Sequence, residues 1–213
     1  MAFTIEENAA PASHRLFKVN FDGTDIDVTV THKAAAVARW ISRTNSRQEE
    51  FHDGRLVVGL GVQWTPGGPA DTLQLCVGDR CLVYQLRNSD NVPGILRRFL
   101  MDPRNTFVGF WNNRDRRKLK ISGYDLDMLR NPLDMRKYVQ TANGERLKTA
   151  TIERIVEECL GITGVRISRE INMSNWGNVN IRVEQVLQVT LDAHFAFIIG
   201  RNIRAWTFNK VSP

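Results

Sequence analysis

The chain has 213 residues, 42% of them hydrophobic and 24% charged, with 29 Lys and Arg against 23 Asp and Glu for a formal charge of +6. This composition excludes collagen-like and disordered chains, and no apolar run approaches the ~18 residues of a membrane span. Three cysteines, an odd number, argue against a disulfide framework and for a reducing compartment.

Residues 1–14 carry Glu6 and Glu7 without an apolar core. They are expected to form a flexible leader, neither a secretory signal nor an Arg-rich transit peptide, which places the chain in the cytoplasm or nucleus. Residues 15–208 are expected to form one domain and 209–213 a tail. Within the domain, Arg15 to Thr31 alternates apolar and polar residues about Asp22-Gly23, a hairpin turn pair. Ala34 to Ile41 has helical spacing, with Val37, Trp40 and Ile41 on one face.

Arg55 to Trp64 is apolar at nearly every position and predicts a central strand buried on both faces, stopped by Thr65-Pro66-Gly67-Gly68-Pro69. Thr72–Val77 and Arg80–Leu86 alternate about Gly78-Asp79 as a second hairpin, in which Cys76 and Cys81 face each other. Two thiols alone do not complete a zinc site. Pro93 to Leu100 predicts a short helix, Phe107 to Phe110 a short buried strand, and Asn113 to Ile121 a basic helix. Leu129–Val139, Ile152–Leu160 and Val183–Ile203 predict further helices, the last preceded by a loop around Asn172 to Asn180. The whole reads as one α/β domain with a mixed sheet and no repeats.

The densest basic stretch, Arg114, Arg116, Arg117, Lys118 and Lys120, fits either a solvated helix face or a nucleic-acid contact. His194 lies two residues past Asp192, on another face of the same helix, and reads as a packing or surface residue. His14, His32 and His52 sit in or beside loops and form no ligand cluster. Trp64 and Trp176 read as core, and Gly61 as a place where a helix packs close on the sheet if it has no other role.

The blocks Val57-Val58-Gly59-Leu60-Gly61-Val62-Gln63-Trp64, Thr72-Leu73-Gln74-Leu75-Cys76, Phe107-Val108-Gly109, Asp115-Arg116-Arg117-Lys118-Leu119, and Trp176 through Asp192-Ala193 carry a family resemblance. In this order, and over about Leu16 to Ile203, the chain resembles the plant Werner-syndrome-type 3′–5′ exonucleases of the DEDDy type. The resemblance implies a ribonuclease H-like, DnaQ-type α/β fold, a mixed β-sheet flanked by helices with an N-terminal β-hairpin extension. It also implies a chemistry in which four carboxylates hold two Mg²⁺ or Mn²⁺ ions about 4 Å apart for phosphodiester hydrolysis. The family pattern sets Asp-x-Glu on the central strand, Asp on the helix after Phe-Val-Gly, and Tyr-x-x-x-Asp on the last helix.

Carried over to this chain, the strand Asp position is Gly61 and the strand Glu position is Gln63. Asp115 and Asp192 stand at the other two carboxylate positions, and Gln188 stands where the tyrosine belongs. Glycine brings no ligand and glutamine a neutral amide, so Asp115 and Asp192 are the metal ligands if any metal binds, and binding is expected to be weak or absent. The sequence thus predicts a pseudoenzyme that binds single-stranded nucleic acid through Arg114, Arg116, Arg117 and Lys118, with hydrolysis lost or strongly reduced. Two other readings stand beside it: an active exonuclease on RNA or DNA that completes its site in a homo-oligomer, and a non-catalytic protein-interaction subunit. None involves a membrane. The mapping requires Gly61, Gln63, Asp115, Gln188 and Asp192 to converge on one cleft.

Overall fold

The computed structural model describes residues 3–21, 23–166 and 168–208. Asp22 of the expected turn and the expected tail at 209–213 lie outside the described residues. The first strand, β1 (Thr4–Asn8), pairs antiparallel with β2 (Arg15–Phe21), and β2 pairs with β3 (Thr24–Thr31) as the alternation predicted. Residues 4–8 were expected in a flexible leader and are instead an edge strand. Phe3 stacks on Phe21 at 5.9 Å and Glu7 accepts from Arg15 at 2.7 Å, so apolar packing and an ion pair hold the strand down.

After α1 (Ala34–Asn45) and the two-residue β4 (Phe51–His52) comes β5 (Arg55–Gln63), whose Leu56 to Leu60 are buried throughout. The hairpin β6 (Thr72–Val77) and β7 (Arg80–Tyr84) follows, then α2 (Gly94–Met101), β8 (Asn105–Gly109) and α3 (Asp115–Lys120). Asn131 and Pro132 interrupt the helix expected over Leu129 to Val139. Proline lacks the N–H donor and biases its predecessor away from helix. The chain there forms β9 (Leu133–Asp134) and a 3₁₀ turn at Met135–Lys137, capped by Asp134, which accepts from the Arg136 backbone at 3.3 Å. Helices α4 (Ile152–Leu160), α5 (Arg169–Asn172) and α6 (Val183–Asn202) complete the described elements, and none is long and apolar enough to cross a membrane.

The sheet order is β1-β2-β3-β7-β6-β5-β8-β9, with β4 paired to β5. The β7-β6-β5 core is antiparallel, β8 and β9 add parallel to it, and the β1–β3 extension joins through a parallel β3–β7 pairing. Strand period fixes the faces. Gly59, Gly61 and Gln63 share one face of β5, opposite Cys76, Gln74 and Thr72 of β6. That face carries α6, whose Ala193 carbonyl oxygen would lie 1.9 Å from a Cβ at Gly59. The close helix approach expected at Gly61 therefore belongs to Gly59. The other face carries α1 and α2, with Phe99 of α2 edge-on to Phe107 of β8 at 5.9 Å.

Helix α6 is buried nearly all round, being held between the sheet and the α4–α5 segment. His194 is one of its buried residues, and burial depresses its ring to a pKa of about 4. Trp176 is fully buried and donates its indole N–H to the Asn172 carbonyl at 3.1 Å. Cys76 and Cys81 face each other with Cα atoms 4.2 Å apart, their sulfurs within reach of a disulfide. A link there is local, between neighbouring strands, and makes no disulfide framework. Cys159 is free and half-buried.

Candidate functional site

A cleft of about 210 Å³ opens at the end of β5, where the strand leaves the sheet under α6. Gly61, Gln63, Asp115 and Asp192 all line it, brought together from the central strand, the start of α3 and the middle of α6. Gln188 does not line it. One helical turn before Asp192, Gln188 is buried and points its amide at the chain ahead of α5. Its oxygen accepts from Ser168 N at 2.8 Å, and its nitrogen donates to Ser168 O at 3.2 Å and to Asn172. The amide serves as a clasp between α6 and that segment.

The space that a side chain on Gly61 would take is bordered by Gln74, whose Oε1 lies 2.9 Å from the position of such a Cβ. Gln74 donates its amide N–H to Thr72 Oγ1 at 2.6 Å, while its oxygen is buried without a partner. The strand side of the cleft thus presents two neutral amides, Gln63 and Gln74.

Its two carboxyl groups are both pushed towards the protonated form. Asp115 is buried and its pKa stands well above the usual carboxylate range, first from burial and second from the charge of Asp134. Asp192 is raised to about 7 by burial and by the charge of Glu153, and its Oδ1 has no hydrogen-bond partner. Asp134 is itself buried but accepts from Arg136 Nε at 3.0 Å.

A pair of hard divalent cations needs several anionic oxygens within reach of each ion. Among the described residues, the one group of three or more His, Cys, Asp or Glu side chains close enough to share an ion is the buried Cys76, Cys81 and His194. No such group occurs in the cleft. Asp115 and Asp192 are the two carboxyls that line the cleft, and two carboxylates do not supply the anionic oxygens that a two-ion site needs.

The basic helix divides into tied and free charges. Arg116 pairs with Asp127 at 2.7 Å and holds that carboxyl down to about 2. Lys118 donates to the Gly68 carbonyl and sits 5.1 Å over the Trp64 ring. Arg114 and Arg117 are exposed. Trp64, expected in the core, is half-buried and lines the cleft.

Three residues at the site escaped the sequence reading. Trp111 lines the cleft at 54% exposure and φ +53°, a conformation bulky residues rarely adopt, with the Arg136 guanidinium stacked 3.3 Å from its ring. Asp134 and Gln74 are the others. An exposed aromatic directly after a short apolar strand was the available signal for Trp111, whereas Asp134 fell in a span read as helix and Gln74 in an alternating strand.

No family model matches the chain, and no curated protein matches it. Solved structures do. RNase D of Escherichia coli, an exoribonuclease involved in structured RNA processing, superposes with a TM-score of 0.65 at 13% identity, covering 84% of this chain and 44% of that one. The Nibbler EXO domain of Aedes aegypti gives a TM-score of 0.65 at 16% identity, covering 85% and 88%. The EXD2 exonuclease domain soaked in Mn superposes at a TM-score of 0.45 with 21% identity, over 84% of this chain and 90% of that chain. The chain therefore spans less than half of RNase D and most of the Nibbler domain. Its nine-stranded mixed sheet, with α6 laid across the central strands, is the ribonuclease H-like fold of DnaQ-type 3′–5′ exonuclease domains.

Proposed function

We propose that the chain is a degenerate relative of the plant Werner-type DEDDy exonucleases that binds single-stranded nucleic acid in the cleft without metal-dependent hydrolysis. The observation that carries this reading is the Gly61–Gln74 pair. At the centre of an exonuclease-type fold, the cleft presents a glycine bordered by a neutral amide, beside Gln63, where the family chemistry needs two carboxylates.

The remaining groups suit binding. Arg114 and Arg117 point charge at solvent beside the cleft, where phosphates can reach them. Trp111, exposed and stiffened by the stacked Arg136, offers a face on which a base can stack. Asp115 and Asp192 hold protons more readily than ordinary carboxyls. A phosphate chain can then approach them without the repulsion that two full negative charges would impose. Arg116 and Lys118, expected to contact the strand, contribute less because each is engaged within the protein.

Fluorescence anisotropy with labelled single-stranded DNA and RNA across a salt series tests binding, and degradation of the same strands in Mg²⁺ and in Mn²⁺ tests chemistry. Salt-sensitive binding with no degradation above background is the expected pair of results. Robust 3′–5′ degradation by the unmodified chain, abolished by Asp192→Asn, would overturn the degenerate reading and favour an active enzyme. Absence of salt-sensitive binding would leave the protein-interaction reading.

A further inference from the structure

Cross-strand pairing sets Cys76 against Cys81, and α6, lying over β6 and β7, brings His194 to the same spot. One ligand atom from each of the three side chains lies within 4.8 Å of the other two, and the residues are 0%, 1% and 3% exposed. Neither ring nitrogen of His194 makes a well-formed hydrogen bond; the Gly78 backbone acts on the ring without meeting that geometry. A buried polar group without a partner is costly, and buried imidazoles are ordinarily satisfied. The aromatic surroundings do not repair this: the ring of Phe21 stands 5.7 Å from the imidazole and that of Phe197 6.3 Å. Two sulfurs and an imidazole without a well-formed hydrogen bond, sealed by apolar rings, form a donor set that two thiols alone did not.

We propose that reduced Cys76 and Cys81, together with His194, bind a thiophilic ion in three-coordinate geometry, monovalent copper, beside the candidate cleft. Two thiolates and an imidazole are soft and borderline donors, which select against the oxygen-seeking Mg²⁺, Ca²⁺ and Mn²⁺. Structural zinc takes four ligands, and among the described residues this group supplies three. Bonds of about 2.0 to 2.3 Å in a trigonal arrangement separate the donors by about 4 Å, a spacing that side-chain rotation can reach once the sulfur–sulfur bond is open. Two thiolates leave one net negative charge on a monovalent ion. The positive charge of Arg201 acts on His194 more strongly than the negative charge of Asp79 and offsets it.

The redox step balances with a reductant. A phosphine or a dithiol supplies two electrons and the Cys76–Cys81 bond breaks to give two thiols: with the phosphine, water supplies both protons and the oxygen of the phosphine oxide, and with the dithiol, its own two thiol protons are transferred and it leaves as its disulfide. Metal binding then releases both thiol protons. Disulfide and metal complex are thus alternative states of one site. Cys76 lies two residues along β6 from Gln74, about 7 Å away on the same face, so the ion would sit one step behind the cleft.

The test is a titration of phosphine-reduced protein, under argon, with Cu⁺ buffered by the coloured chelator bathocuproine disulfonate. One equivalent should pass from chelator to protein. The bound ion should shield Cys76 and Cys81, but not Cys159, from alkylation read by peptide mass. X-ray absorption should fit two sulfurs and one nitrogen. Cys76→Ser with Cys81→Ser, and separately His194→Leu, should weaken binding at least 100-fold. Because these positions lie in the core, unmodified protein kept as the disulfide is the second comparison, and it should take up no copper. Equal uptake by reduced and disulfide forms, protection of Cys159 alone, no uptake at all, or stoichiometric zinc binding in preference to copper would each overturn the assignment.

Discussion

Two glycines on one face of β5 should respond oppositely to the same methyl group. At Gly59, an added Cβ would lie 1.9 Å from the Ala193 carbonyl oxygen, 2.9 Å from its carbonyl carbon and 3.0 Å from Phe197 Cβ. Non-bonded contacts of this kind settle near 3.5 Å, so the α6 backbone must retreat by roughly 1.5 Å. A gap of half to one ångström already forfeits a quarter to a half of a dispersion contact, and α6 packs over β5, β6, β7 and β8. Overpacking ordinarily costs about 1–3 kcal/mol, and the obstacle here is backbone, so Gly59→Ala should cost about 3 kcal/mol or more. In a domain of this size that lowers Tm by about 6–12 °C. At Gly61 the same methyl meets Gln74 Oε1 at 2.9 Å and nothing else closer than 3.8 Å. That oxygen is a side-chain terminus without a partner of its own, and a shift of a few tenths of an ångström can leave the amide's bond to Thr72 in place. The strand also gains about 0.5–1 kcal/mol when glycine becomes alanine, so Gly61→Ala should be near neutral. Thermal melts and urea midpoints of the two variants decide the matter. Equal, large losses would make Gly61 a packing glycine and remove the support for a missing carboxylate there; a harmless Gly59→Ala would refute the close approach of α6.

If Gly61 is only a vacated ligand position, Gly61→Asp with Gln63→Glu, and Gln74→Ala to clear the neighbouring amide, should raise 3′–5′ degradation in Mn²⁺ above background, and Asp192→Asn should abolish that gain. Arg114→Ala with Arg117→Ala should lower the slope of log affinity against log salt for a single strand by about 1.4, at roughly 0.7 per lost phosphate contact; an unchanged slope would return these arginines to the solvated surface. Arg116→Ala should leave the slope nearly alone and cost at most about 1 kcal/mol, read from urea midpoints, through its half-exposed pair with Asp127. Because the folded pKa of Asp192 is raised to about 7 from 3.8, its stabilising contribution is fully present below pH 3.8 and is lost as pH climbs to about 7. Urea midpoints from pH 4 to 8 should therefore fall less steeply for Asp192→Asn than for the unmodified chain, and parallel curves would refute the shift.

The elements that the sequence shows most clearly are those whose pattern depends on burial alone. The apolar run 55–64, the two alternating hairpins and the basic helix all lie within a few residues of their expected positions, because period two and period 3.6 are written directly in side-chain polarity. The span 129–139 failed for a local reason: its apolar residues suited a helix, but Pro132 and the Asp134 cap chose a strand and a turn. Residues 4–8 failed for a distant one, since their partners in β2 and the Phe21 ring are visible only after the chain folds back. The same limit applies at the site. The family resemblance named Gly61, Gln63, Asp115, Gln188 and Asp192, yet could not show that Gln74 would border the space beside Gly61, that Asp127 would hold Arg116, or that Gln188 would spend its amide on Ser168 and Asn172.

The two carboxyls of the cleft differ in what holds them there. Asp115 opens α3, and an acidic side chain in a first turn is favoured by the partial positive charge of the helix N-terminus, so part of its burial cost is returned by the fold itself. Asp192 has no such return. It stands in the middle of a twenty-residue helix, with one oxygen buried and unpartnered. Leaving a buried acceptor unsatisfied costs about 1–3 kcal/mol, and an apolar residue would suit the surrounding helix better. Among the described residues no group donates to that oxygen, and the Asp192 side chain lines the cleft. On the proposed function, a strand lying in the cleft would bring such donors in its sugar hydroxyls and base edges, and Asp192 would then couple binding to the stability of α6.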